Sequence, residues 1–169
     1  PLIDSRYHVA IDGMSLPLIA LTLLVVPLCI IYSWKHFPEP HNPKAFLILI
    51  LILETGMVGT FCAQDLILFF VFFEVVLLPM YFMIGVWGGP NRQYASIKFF
   101  LFTLFGSALM LVSFLALYFL EGSFQIPVLA EMAGADLART TGLLIFGGMF
   151  LGFGIKVPMF PFHTWLPDA

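Results

Sequence analysis

The stretch Leu66-Ile-Leu-Phe-Phe-Val-Phe-Phe-Glu74-Val-Val-Leu-Leu-Pro79-Met-Tyr-Phe-Met-Ile-Gly-Val-Trp87 decides the fold. It is apolar on every face and long enough to cross a bilayer, which takes about 20 residues. Near its middle stands a carboxylate, and a proline follows about one turn later. At 1.5 Å per residue Glu74 lies about 12 Å in from Leu66, close to mid-membrane. Pro79 cannot donate to the carbonyl of Val75, so the helix is expected to kink beside the acid.

Four further segments have the same character: Met14 to Trp34, Ala45 to Ala63, Ile97 to Leu120 and Thr141 to Phe162. The expectation is an all-α polytopic bundle with about five spanning helices, forming one transmembrane domain over residues 1–169. One helix is kinked at Pro79 and the last is broken near Lys156-Pro158. The connections carry turn chemistry. Residues 35–44 hold Pro38, Pro40, Pro43, His36 and His41; Gln64-Asp65 is a tight link; Trp87-Gly-Gly-Pro-Asn-Arg92 is a turn. Glu121 to Arg139 is the longest loop, with Pro127 inside it.

Composition agrees. The chain is 61% apolar and 10% charged, with mean hydropathy +1.03, against about 45–50% and about 25% in soluble domains. The lack of a basic patch argues against nucleic acid. Cys29 and Cys62 sit apart in apolar runs without CxxC spacing, which supports neither zinc nor an iron–sulfur cluster. No helix carries a mid-membrane histidine for haem, and no GxGxxG loop would cradle a dinucleotide, so no cofactor or metal is expected here. The chain opens at Pro1 and ends without a polar tail, and is read as an internal fragment of a longer protein.

Alternate loops fall on opposite sides. Lys35, Lys44 and Arg92 share one; Arg6 and Arg139 share the other with Asp4, Asp12, Asp65, Glu121, Glu131 and Asp136. The positive-inside rule places the first group in the cytoplasm.

Four ionisable residues fall within spans: Glu54, Glu74, Lys98 and Lys156. Each costs about 2.5–3.5 kcal/mol at the bilayer centre, so intramembrane charge points to function. A freed carbonyl beside Glu74 gives water an entry, which favours a proton relay; the alternative is a protonated packing acid. Lys156 lies in Gly152-Phe-Gly154-Ile-Lys156-Val-Pro158-Met-Phe-Pro161. The two prolines strip the carbonyls of Gly154 and Val157 of their donors, and broken helices of this kind line ion paths. The alternative for Lys156 is snorkelling to the headgroups, an alternative that weighs as much as function for Lys98. For Glu54, structural hydrogen bonding and transport weigh equally, and for His163 interface anchoring stands beside proton transfer. A Glu74–Lys156 pair at about 4 Å attracts by about 4 kcal/mol, falling to about 2.4 at about 7 Å, so a small helix shift would move a proton. Gly148 and Gly152 form a GxxxG pattern. Trp34, Trp87 and Trp165 read as interface-belt residues.

The run from Phe69 through Glu74 and Pro79 to Gly89 resembles the fifth helix of the M-type, antiporter-like subunits of respiratory NADH:quinone oxidoreductase, complex I. Arg92 to Ser107, with Lys98-Phe-Phe-Leu and Gly106-Ser107, continues the likeness. Gly154-Ile-Lys156-Val-Pro158-Met-Phe-Pro161-Phe-His163-Thr-Trp-Leu-Pro-Asp168-Ala is similar to that family's discontinuous seventh helix, and His8-Val-Ala-Ile-Asp12-Gly-Met-Ser-Leu to the entry of its third. The resemblance implies that Glu74 and Lys156 are its paired glutamate and lysine in proton translocation, with Lys98 its sixth-helix lysine. It implies that NADH, FMN, iron–sulfur clusters and quinone sit in partner subunits. It also implies neighbours in a membrane arm within a lipid bilayer, here a bacterial cytoplasmic membrane. The family's later helices, with a second broken helix, are missing from the match. A Mrp-type cation/proton antiporter or a membrane-bound hydrogenase subunit shares this core. A purely structural membrane subunit fits the charges least.

Overall fold

A computed structural model describes residues 5–37, 39–132 and 137–169. Pro1, Asp4, Pro38 and Asp136 lie outside the described residues. The helices are α1 (Ser15–Lys35), α2 (Pro43–Cys62), α3 (Leu66–Val75), α4 (Leu77–Trp87), α5 (Arg92–Glu121), α6 (Ile126–Met132) and α7 (Arg139–Lys156), followed by a 3-10 turn at Phe162–Trp165. Among the described residues, four segments are long and apolar enough to cross a membrane: Ser15–Lys35, Pro43–Cys62, Leu66–Trp87 and Arg92–Glu121. The chain is an integral, multi-pass helical membrane protein. The expected fifth span differs: α7 starts at Arg139 and stops at Lys156, so two charges and several glycines dilute it.

α1 packs on α2, α2 on α3 and α4, α4 on α5, and α5 on α7. Antiparallel crossings put the connections at two ends. At one end Val9 bridges Ala63, and Asp65 bridges Gln125. At the other the Trp87 indole N–H donates to the Pro40 carbonyl at 2.9 Å. This is the division of loops expected from alternate crossings.

The first end is organised by Asp65, which is fully buried. Its carboxylate caps α3 by accepting from the Ile67 and Leu68 N–H groups at 3.0 and 3.1 Å. It also accepts from the Ser5 hydroxyl and the Arg6 N–H, both at 3.0 Å, and from the Gln125 amide at 2.8 Å. A buried carboxylate survives folding only with such partners. Nearby, Asp12 accepts from the Ser15 and Met14 N–H groups at 2.7 and 2.9 Å, ahead of α1. Those backbone bonds, Ser15 first, hold its carboxyl below the usual aspartate range. Its capping contribution is therefore present above that range and lost as pH falls through the depressed value.

Two expectations change in detail. The helix from Leu66 to Trp87 divides at Val76, three residues before Pro79, because the missing donor is felt one turn back. The loop from Glu121 to Arg139 contains α6, too short to register as a periodic pattern. Pro127 lies in its first turn, where a missing N–H is harmless.

α5 and α7 approach to backbone contact. A Cβ on Gly152 would lie 2.8 Å from the Gly106 carbonyl oxygen and 2.8 Å from the Met110 Cβ. One on Gly147, a residue earlier than the GxxxG pair, would meet nothing within 4 Å. Gly148→Ala would push on Ser113. The GxxxG pattern is thus a true packing seam.

Substitutions at the glycine seam and at Asp65 test this architecture in the full-length protein. Gly152→Ala is expected to destabilise by about 1–3 kcal/mol through overpacking, while Gly147→Ala stays within about 0.5 kcal/mol. Asp65→Ala strands several buried donors and is expected to cost about 2–4 kcal/mol. Denaturation midpoints in detergent read both, and an Asp65→Ala protein as stable as an exposed-site Glu131→Ala control would refute the anchoring role.

Candidate functional site

The apolar core comes in two clusters. Leu66, Met110, Phe114, Phe124 and Leu129 form one, and Leu77, Ile84, Ala95, Phe99 and Trp165 the other. On α3/α4 the gap between them covers Glu74 to Val76. On α5 it covers Thr103, Gly106 and Ser107, all buried. A polar layer thus lies between two apolar ones.

Glu74 enters this layer from the last turn of α3. Its Oε1 is buried without a hydrogen-bond partner among the described residues. The carboxyl neighbours Ser107 and lies within electrostatic reach of Lys156. The Ser107 hydroxyl donates to the Leu104 carbonyl at 3.0 Å, so its one proton is already committed. The Thr103 hydroxyl likewise donates to the Phe99 carbonyl, at 2.7 Å.

Lys156 arrives from the end of α7. Its Nζ donates to the Phe73 carbonyl at 3.2 Å and stands 4.1 Å from the Phe73 ring centroid. The amine therefore docks on the residue next to Glu74, and no Glu74–Lys156 salt bridge forms among the described residues. One of three N–H donors is engaged by Phe73, which leaves others for an incoming acceptor. An acid with a vacant acceptor faces an amine with spare donors, both half-buried in a layer of small polar groups. Such a pair can hold a proton on either partner.

The break after Lys156 is filled by protein. Pro158 cannot donate to the Gly154 carbonyl, and the Met159 N–H does so instead at 2.8 Å. The Ile155 carbonyl accepts from the Trp165 indole N–H, also at 2.8 Å. Trp165 is 7% exposed and packs on Phe99. This corrects its reading as a belt residue: a belt tryptophan points to headgroups, whereas this one bonds inside the bundle. Trp34, at 84% exposed, remains compatible with a belt.

The other sequence candidates lie apart. Lys98 forms an ion pair with Asp168 at 2.6 Å and stands 5.6 Å from the Tyr94 ring centroid. Glu54 is half-buried on α2. His163 is exposed and stacks on Phe160 at 5.6 Å. No hydrogen bond or ion pair joins any of the three to Glu74 or Lys156 among the described residues. Phe73 was not singled out, Trp165 was given a different role, and Ser107 and Asp168 entered only as part of the family likeness, without a role of their own. A buried serine and threonine at i, i+4 on α5 was the available signal for the polar layer.

Known proteins give the same outline. Residues 63–169 match the family described as NADH:quinone oxidoreductase/Mrp antiporter, TM. Residues 2–60 match NADH-ubiquinone oxidoreductase chain 4, amino terminus. A protein from Synechococcus sp. (strain JA-2-3B'a(2-13)) named NAD(P)H-quinone oxidoreductase chain 4 1 is 41% identical over 100% of this chain and 31% of its own length. NADH-quinone oxidoreductase subunit M of Rickettsia felis is 41% identical over 99% of this chain and 33% of its own length. Among solved structures, a chain of respiratory complex I from Thermus thermophilus with bound NADH superposes with TM-score 0.78 at 34% identity, covering 95% of this chain and 32% of that one. A chain of the archaeal membrane-bound sulfane sulfur reductase does so with TM-score 0.74 at 27% identity, covering 95% and 25%. The chain spans about a third of the length of the curated relatives it matches.

Proposed function

This chain belongs to the NADH:quinone oxidoreductase/Mrp antiporter transmembrane family, and on that premise we propose that it forms part of an M-type, antiporter-like subunit in the membrane arm of an NADH:quinone oxidoreductase. Its part of the work is to carry protons, driven by electron transfer in other subunits. The subunit is a translocase component without redox chemistry of its own. NADH, FMN, iron–sulfur clusters and quinone belong to its partners, and its neighbours are other membrane-arm subunits. The membrane is a bacterial cytoplasmic membrane, with Lys35, Lys44 and Arg92 on the cytoplasmic side. The names of the Synechococcus and Rickettsia relatives support this assignment.

The observation that carries the reading is the meeting of two interrupted helices. The amine of Lys156, at the end of α7, docks on the Phe73 carbonyl, on the residue next to Glu74, whose Oε1 has no hydrogen-bond partner among the described residues. Charged groups within a span are costly, and that cost is what marks Glu74 and Lys156 as functional. Glu74 and Lys156 take and release the proton. Lys98, Glu54 and His163 are secondary candidates on the route. Pro79, Pro158, Pro161 and Gly154 supply the interruptions.

A second reading shares the family: a subunit of a Mrp-type cation/proton antiporter, or of a membrane-bound hydrogenase. The family description, which names the Mrp antiporter beside NADH:quinone oxidoreductase, supports the antiporter form of it.

The test uses the full-length protein in native membranes. Glu74→Gln keeps the shape of the side chain and removes its acid. NADH-driven proton uptake is expected to fall by about 10²-fold or more, the scale of an acid–base group, while the complex assembles normally. Intact NADH oxidation with loss of sodium/proton exchange would select the antiporter reading. Unchanged uptake and exchange would make Glu74 a packing residue.

A further inference from the structure

Trp165 is not used by the proton-path reading, yet three observations converge on it. It is buried while Thr164 and Leu166 beside it are exposed. Its indole N–H crosses the helix break to the Ile155 carbonyl at 2.8 Å. Its ring lies 5.2 Å from that of Phe99 on α5, tilted by 58°. Three residues further on, Asp168 meets Lys98 of α5 at 2.6 Å. The segment after the break is therefore tied to α5 at two points, and its indole reaches back to one carbonyl in the last turn of α7.

That carbonyl belongs to the residue immediately before Lys156. In an unbroken helix the Met159 N–H would take it. Here that donor bonds the Gly154 carbonyl at 2.8 Å, so the Ile155 oxygen depends on an outside partner. A helix leaves its last carbonyls unsatisfied, and a buried one demands a donor. An indole N–H is a donor only, and its direction is set by how the ring is packed. Held against Phe99, the indole presents its proton at one height and one angle.

We propose that Trp165 is a positioning residue for Lys156: by holding the Ile155 carbonyl it fixes where α7 stops, and so where the Lys156 amine meets the Phe73 carbonyl beside Glu74. The inference rests on the reading of Glu74 and Lys156 as the proton-carrying pair. Glu74 on α3 is the charged group facing Lys156. Ser107 is the neighbour of that carboxyl from α5. At the far end of the segment Lys98 and Asp168 neutralise one another. Without the indole donor the last turn of α7 loses its fixed end, and Lys156 samples positions away from Phe73.

The experiment uses the full-length protein in its assembled complex in native membranes. Trp165→Phe keeps a ring against Phe99 and removes the N–H. Proton uptake per assembled complex is expected to fall about tenfold, the weight of one such hydrogen bond, and its pH profile to move. Thr164→Ala, on the exposed side of the same turn, is expected to leave both unchanged. Lys156→Ala is measured in parallel. If it abolishes uptake while Trp165→Phe keeps the normal rate and pH profile, the positioning role is overturned and the proton path stands. A lower yield of complex with an unmoved profile per complex also overturns it, because that is the signature of a merely structural tryptophan. If Lys156→Ala leaves uptake intact, the underlying proton path fails, and the positioning role fails with it. Should Trp165→Phe not assemble, benzothienylalanine at position 165 keeps the shape of the indole and lacks only the N–H. A reduced, shifted uptake then supports the proposal, and an unchanged one overturns it.

Discussion

The buried carboxylate of Asp65 is the constraint from which the remaining geometry follows. It joins the extended N-terminal segment, the start of α3 and the chain leaving α5 by five hydrogen bonds. In a membrane protein such a knot has unusual weight, because apolar helix faces alone slide past one another in lipid with little preference. With the first turn of α3 pinned, its ninth residue arrives at a set depth and on a set face. That residue is Glu74. The same knot holds the segment after α5, so the level of Ser107 relative to Glu74 is fixed from the same end.

Above that knot the bundle is layered. Phenylalanines and Met110 fill the space between Asp65 and Glu74, and a second apolar cluster around Phe99 fills the space beyond. The polar layer is thin because it is built from small residues, Gly106, Gly152, Ser107 and Thr103. These let α5 and α7 close to backbone contact while leaving the Thr103 and Ser107 hydroxyls at the depth of Glu74. Function and packing therefore use the same residues: the seam that holds α7 to α5 also delivers Lys156 to α3.

Much of this was legible in the sequence. A carboxylate with a proline five residues on, inside an unbroken apolar run, announced both a span and its interruption. Lys156 between glycines and prolines announced the other. What sequence reasoning missed has a common cause. Asp65 reads as a polar loop residue, since nothing local tells that Ser5 and Gln125 come to it from far along the chain. Trp165 reads as a belt residue because tryptophan near a predicted interface usually is one; only the fold reveals the Ile155 carbonyl waiting for its N–H. The docking of Lys156 on Phe73, and not directly on Glu74, is a contact to a backbone carbonyl, which no residue pattern announces. The extent of α7 was overread because apolar residues after Pro158 continue the pattern without continuing the helix.

The crossing of Gly106 with Gly152 has a mechanical consequence. Backbone in contact with backbone does not slide, since a shift by one residue sets the Met110 or Ile155 side chain where no room exists. The crossing is a fulcrum. Lys156 sits one helical turn beyond it, on a lever about 6 Å long. Tilting α7 by about 10° about that fulcrum carries the base of its side chain by roughly an ångström, which is the scale on which a hydrogen bond is made or lost. Motion reaching α7 from elsewhere in a larger assembly is thus converted into rotation about one point, and its effect is felt where the helix ends.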